Sequence, residues 1–171
     1  MVNIVLNLGA STHFPSLDEM ESIARKSLVE RGRVNVLFLL SSGDGLVLFA
    51  DVSDDRDVMR IALKDVVDRF HVDKYFAVME GWFSSDASIR PSLSPDRQEA
   101  LIISEFHRDM NNRTVFQIFH RVDKEIVFDN RMLLAGKGSE GHSVFNIFVE
   151  DAMDEVLVDA QRLQKEWKKN G

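Results

Sequence analysis

Between Glu80 and Glu99 the chain reads Glu80-Gly-Trp-Phe-Ser-Ser-Asp-Ala-Ser-Ile-Arg90-Pro-Ser-Leu-Ser-Pro-Asp96-Arg97-Gln-Glu99, a dense run of side chains able to do chemistry. Glu80, Asp96 and Glu99 are candidate catalytic carboxylates, since a positioned carboxyl group can donate or accept a proton at a reacting bond. Arg90 and Arg97 carry planar guanidinium groups that grip a carboxylate or phosphate through two parallel bonds. Trp82 adds a broad apolar ring with one polar edge, a common element of binding surfaces. Two chemistries use this set. In the first, Glu80 is the acid or base of a small hydrolase and Arg90 or Arg97 clamps an anionic substrate. In the second, Arg90 and Arg97 do no more than tie a rigid surface loop to its own carboxylates, Glu80, Asp96 or Glu99; Trp82, Arg90 and Arg97 are the candidate binding residues if the loop is a site. Structural ion-pair networks contain the same residue types as catalytic sites, which favours the second reading.

Other constellations carry less. Histidines 13, 71, 107, 120 and 142 are scattered, and none sits at the helical i, i+4 spacing that aims two imidazoles at one zinc ion. His107 and His120 are the candidate metal pair, because a hairpin between them would bring them together, with Asp109 and Asp123 near. Cross-strand neighbours touch routinely, so the expectation is a structural contact and no metal. Ser41-Ser-Gly-Asp-Gly45 has the glycines of a phosphate loop but no lysine, and a strand rather than a helix follows it; it reads as a hairpin turn. No Gly-x-Ser-x-Gly elbow presents a nucleophilic serine. No cofactor is expected.

The segment Glu80-Gly-Trp82, Arg90-Pro-Ser92 and Pro95-Asp-Arg97-x-Glu99-Ala-Leu resembles a pattern in small uncharacterised proteins of bacteria, archaea and their viruses. That resemblance implies no activity.

Several elements must position these groups. Ser16-Leu-Asp-Glu19 is a capping box, Leu17, Met20, Ile23, Ala24 and Leu28 recur at helical spacing, and Gly32 supplies a stop, so a helix is predicted over 16–31. Val34–Leu40 and Leu46–Phe49 read as a strand hairpin about the glycine-rich turn. A second helix starts at Ser53, with Val58, Ile61, Ala62, Val66 and Phe70 on its buried face. Four strands follow, at Tyr75–Phe83, Glu99–Phe106, Thr114–Val122 and Glu125–Leu133, joined by short turns except for the long 84–98 loop, which holds two of the three prolines. Loops of more than about 12 residues are uncommon in compact domains and tend to be functional. On the strand 114–122, Phe116, Ile118, His120 and Val122 share one face and Gln117, Phe119 and Arg121 the other, so a helix or a partner should cover each side. A last helix carries Phe145, Phe148, Val149, Ala152, Val156, Leu163 and Trp167 as a stripe.

The expected fold is therefore α/β of the α+β type: one domain over 1–171, a mostly antiparallel sheet of five to seven strands packed with three helices, in the order (β)-α-β-β-α-β-β-β-β-α. Residues 1–15 read as an arm or an added strand. The order of elements is similar to that of profilin-like and roadblock-like folds, which implies a binding and dimerisation module; an extra strand and the long loop depart from that pattern.

Composition excludes further classes. The 171 residues suffice to bury a core, and 44% hydrophobic content argues against disorder. With no cysteine there is no disulfide, thiolate metal site or cysteine nucleophile, and a cytoplasmic location is expected. No apolar run reaches the roughly 18 residues of a membrane span. The first ten residues lack the basic start of a signal peptide. The net charge of −7, with basic residues interspersed among acids except at Lys165–Lys169, makes nucleic acid an unlikely partner, because phosphate backbones reward clustered cations. The expected function is a non-enzymatic protein-binding or assembly module that forms a homodimer, with the anionic-substrate hydrolase as the alternative.

Overall fold

A computed structural model describes residues 3–9, 13–51, 55–86, 88–137 and 146–148. The elements, in chain order, are β1 (Asn3–Gly9), α1 (Leu17–Arg31), β2 (Leu37–Ser42), β3 (Gly45–Asp51), α2 (Arg56–Arg69), β4 (Lys74–Phe83), a 3-10 turn (Pro91–Leu93), β5 (Gln98–His107), β6 (Asn111–Val122) and β7 (Glu125–Lys137). The seven strands form one sheet in the order β1-β3-β2-β4-β5-β6-β7, and every pair is antiparallel. The N-terminal segment is thus a true strand. The described residues hold two α-helices rather than three: of the last predicted helix only the helical residues Ile147 and Phe148 and the preceding Asn146 are described, and the rest of its stripe lies outside.

Local chemistry explains where the elements start and stop. Ser16 Oγ accepts from the Glu19 amide at 3.1 Å while Glu19 accepts from the Ser16 amide at 2.6 Å, the reciprocal box that satisfies two orphan donors. Gly32, at φ 71°, ends α1 by donating its amide to Leu28. Helix α2 is capped by Asp55, whose side chain accepts from Asp57 and Val58, and not by Ser53, which lies outside the described residues. Of the predicted face Val66 is buried and Ala62 and Phe70 pack against the core, whereas Ile61 is 72% exposed; Met59, Leu63 and Val67 complete the buried side. On α1, Ile23 likewise faces outward.

The β2–β3 hairpin closes at Ser42 and Gly45 around two residues. The β6–β7 hairpin turns at Asp123 and Lys124, with φ of 50° and 71°, the two positive values of the primed turn that matches strand twist.

Alternation along the strands builds two cores. Phe38, Leu40, Phe49, Tyr75, Ala77 and Phe106 face α2 together with Ile147 and Phe148. Leu39, Phe76, Val78, Leu101, Ile103, Val115 and Phe119 face α1 through Leu17, Met20, Ala24 and Leu28. Each side of the sheet is thus partly covered by a helix. The fully buried Tyr75 accepts the Ile147 amide at 2.9 Å on its hydroxyl, which fixes that segment over the first core. One irregularity interrupts β7: opposite the step from Gln117 to Phe119 its register slips between Arg131 and Phe128. The buried Gln117 amide donates to the carbonyls of Asp129 and Asn130 at 3.0 and 3.4 Å, so the bulge is satisfied from inside the sheet.

Candidate functional site

Strands β4 and β5 pair along their whole length, Lys74 opposite His107 and Phe83 opposite Gln98. The 84–97 loop therefore leaves and re-enters the sheet at one point. Trp82 and Glu99 stand directly opposite in that register, and Glu80 shares their face by the two-residue period of a strand. The sequence-predicted groups Glu80, Trp82 and Glu99 are brought together at the end of the sheet nearest the C-terminus of α1.

Their partners differ from those expected. Glu80 accepts the Val34 amide on one carboxylate oxygen and the Arg121 guanidinium on the other at 3.5 Å. Glu99 receives Arg121 Nε at 3.3 Å, and Arg121 Nη1 donates to the Gly32 carbonyl at 2.5 Å. Arg121 thus joins two carboxylates to the carbonyl that follows α1, where the helix dipole favours a cation. To act as acid or base, Glu80 would have to release both Val34 and Arg121. Arg121 lies on the same strand face as Phe119, as the alternation along the strand indicates, but only the β5–β6 register, which sets Phe119 opposite Glu99, brings it to this site.

Neither loop arginine pairs with those carboxylates. Arg97 donates to the Ser92 carbonyl at 2.9 Å and lies over the Trp82 ring, 5.0 Å from its centroid. Arg90 is exposed and makes no ion pair or side-chain hydrogen bond with another described residue. Asp96 is held by hydroxyls instead: Ser84 donates at 2.6 Å, Ser85 at 2.8 Å, and Ser94 also donates. These bonds, that from Ser84 foremost, then Ser94 and Ser85, hold the Asp96 carboxyl far below the usual carboxylate range. Asp86 is shifted the same way by the Ser88 hydroxyl and amide. A general acid needs the opposite shift, so Asp96 serves as an ionised acceptor that staples the two ends of the loop.

A 3-10 turn in between rests on Leu93 N–H to Arg90 O at 2.8 Å and Ser94 N–H to Pro91 O at 3.2 Å. It displays Leu93, 71% exposed, beside the stapled ends, and Trp82 and Ile89 are exposed to 43% and 41%.

The histidine pair does not form. His107 ends β5, where it binds the buried Glu105 at 2.8 Å; Glu105 also receives Arg113 at 2.5 Å. His120 lies near the far end of β6 and takes Asp129 at 2.6 Å through Nδ1. The antiparallel register sends the two imidazoles to opposite ends of the sheet. Among the described residues no group of three or more His, Asp or Glu side chains is placed to hold a metal ion, and no helix is long and apolar enough to cross a membrane. A cavity of about 340 Å³, lined by Val67, Asp68, His71, Asp73 and Arg108, lies at the other end of β4, away from the loop.

The chain matches no protein-family model, no curated protein and no solved structure.

Proposed function

We propose that the chain is a non-enzymatic protein-binding module whose 84–97 loop recognises an acidic, partly apolar segment of another protein. One observation carries the reading. Asp96 gathers three serine hydroxyls and thereby pins the loop, while Arg90 and the Trp82-stacked Arg97 stay at the surface beside Leu93. A pinned loop loses little conformational freedom on binding, and tryptophan and arginine are the side chains most often found at energetic centres of interfaces. The charge selects the partner. The oxygens of both loop aspartates are occupied by serine donors, whereas the guanidinium of Arg90 is exposed, so the donors this surface offers suit the carboxylates of a partner.

An array of acidic, neutral and basic peptides, each with and without an aromatic or leucine anchor, probed with the intact chain, tests this. Binding should concentrate on acidic peptides with an anchor and fall at least about tenfold when Arg90→Glu and Arg97→Glu are combined. Binding indifferent to peptide charge, or unchanged in the doubly substituted protein, would overturn the proposal.

A further inference from the structure

The outer edge of β7 is unpaired among the described residues, since the sheet ends there. Soluble proteins usually protect such an edge with charge, proline, short length or a bulge. Here protection covers only one half. The bulge at Asp129 and Asn130 divides the strand, and beyond it Met132-Leu-Leu-Ala-Gly136 contains no charge and no proline. Leu133 and Leu134 point to opposite faces, and both are about half bare, at 49% and 52%. An edge of open amides and carbonyls is complemented by another strand.

The order of side chains indicates which strand. With a two-fold axis at Leu133, antiparallel pairing sets Met132 opposite Leu134 of the second copy, Leu133 opposite Leu133, and Arg131 opposite Ala135. Moving the axis one residue to Leu134 opposes Arg131 to Lys137, two like charges. Moving it to Met132 sets Arg131 and Asn130 against the leucines. The register at Leu133 pairs Met132, Leu133 and Leu134 with one another and leaves Arg131 facing only Ala135. It also extends a feature already present: Met79, Ile102, Phe116 and Met132 form one cross-strand row, each partly exposed, and Leu134 of the second copy continues it. The opposite edge, β1, is a poorer candidate, being shorter, bearing Asn3 and Asn7, and slipping register between Asn7 and Gly9.

We infer that two copies of the chain pair antiparallel along β7, about a two-fold axis at Leu133, into one continuous sheet. An isologous contact of this kind closes on itself and does not propagate. It is independent of the loop reading, because β7 is the edge strand, two strands from β5 and three from β4, which carry the loop.

The absence of cysteine makes the test direct. In the full-length protein, Leu133→Cys places two thiols on the axis, where facing Cα atoms in an antiparallel pair are about 4.5–5.5 Å apart, within disulfide reach. Mild oxidation should give a disulfide-linked dimer in high yield, whereas Leu6→Cys on β1 should stay monomeric on a denaturing gel. Sedimentation of the unmodified protein at micromolar concentration should show twice the 19.5 kDa chain mass. Leu133→Lys should raise the dimer dissociation constant at least about tenfold while the circular dichroism spectrum stays unchanged. A 19.5 kDa species alone, or a dimer that cross-links through Leu6→Cys and not through Leu133→Cys, overturns the inference. The cross-link decides the matter even if Leu133→Lys fails to fold.

Discussion

Arg121 and Arg97 lie at the same corner of the molecule, yet their removal should have very different consequences. Arg121 joins Glu80, Glu99 and the Gly32 carbonyl, with 38% of its side chain exposed against 25% for Glu80 and 32% for Glu99. The charged hydrogen bond to Gly32 contributes about 1.5–3 kcal/mol. The two partly solvated ion pairs are discounted to about 0.2–1 kcal/mol each. Removal also leaves two carboxylates near one another without their shared cation. Arg121→Ala should therefore lower the unfolding free energy by about 2–4 kcal/mol. For Arg97 the contacts are one exposed carbonyl and an exposed aromatic face, so Arg97→Ala should cost less than about 1 kcal/mol. Urea denaturation of both variants, followed by circular dichroism at pH 7, provides the comparison, with m-values checked for constancy. The residual coupling is measured by adding Glu99→Gln to Arg121→Ala, where the two changes should fall short of additivity by about 0.5–1 kcal/mol. If Arg97→Ala destabilises as much as Arg121→Ala, the loop and not the helix end is the energetic centre of this corner, and the reasoning fails.

Three other outcomes are expected. Because the serine hydroxyls favour its ionised form, the Asp96 carboxyl should titrate in the folded protein well below its ordinary 3.8. The stability it contributes is present above that value and is lost only as pH falls through the lower, folded-state value; carbon-detected NMR titration reads this midpoint, and one at or above 3.8 refutes the staple. Lys124→Gly should stabilise the protein by about 0.5–1 kcal/mol, since Lys124 holds the left-handed backbone of the β6–β7 turn at φ 71°; no gain in thermal midpoint would count against the turn assignment. Arg131 binds Glu21 through both Nε and Nη2 at 2.8–3.1 Å, and Glu21 is buried. Arg131→Ala should cost about 2–4 kcal/mol by stranding that carboxylate, whereas a loss below about 0.5 kcal/mol in denaturant would show that Arg25 or solvent satisfies it.

The sequence declared some of this and concealed the rest for physical reasons. The capping box at Ser16 and the stop at Gly32 are local signals that need only a few neighbouring residues, and both appear where the spacing places them. Helix α2 carries apolar residues over much of its circumference: Val66, Ala62 and Phe70 of the expected face reach the core and Ile61 does not, while Met59, Leu63 and Val67 do. The exact rotation belongs to the sheet beneath, where Phe49 and Tyr75 meet them. The alternation of Phe116 and Ile118 against Gln117 and Phe119 is visible in the chain. The bulge on the neighbouring strand is not, because no residue of β6 marks it except the buried amide of Gln117. At the candidate site Glu80, Trp82 and Glu99 follow from two strands flanking one loop. Arg121 as their partner does not, since it depends on a register set across 41 residues from Glu80.

The strand order also bears on how the chain folds. From β4 to β7 each strand pairs with the next in sequence, so the meander can zip from its hairpins with little loop entropy to overcome. Strand β1 is different: Asn3 meets Asp51 only after α1, β2 and β3 lie between them. Its pairing is the long-range closure of the sheet, made at an edge where one strand alone flanks it. Amide hydrogens of β1 should accordingly exchange through local opening at a small fraction of the global unfolding free energy, while those of Tyr75–Val78 and Leu101–Ile103, buried in the centre, exchange only when the whole molecule unfolds. A folding reaction that begins in the meander and ends by laying down β1 leaves that edge strand waiting longest for its place.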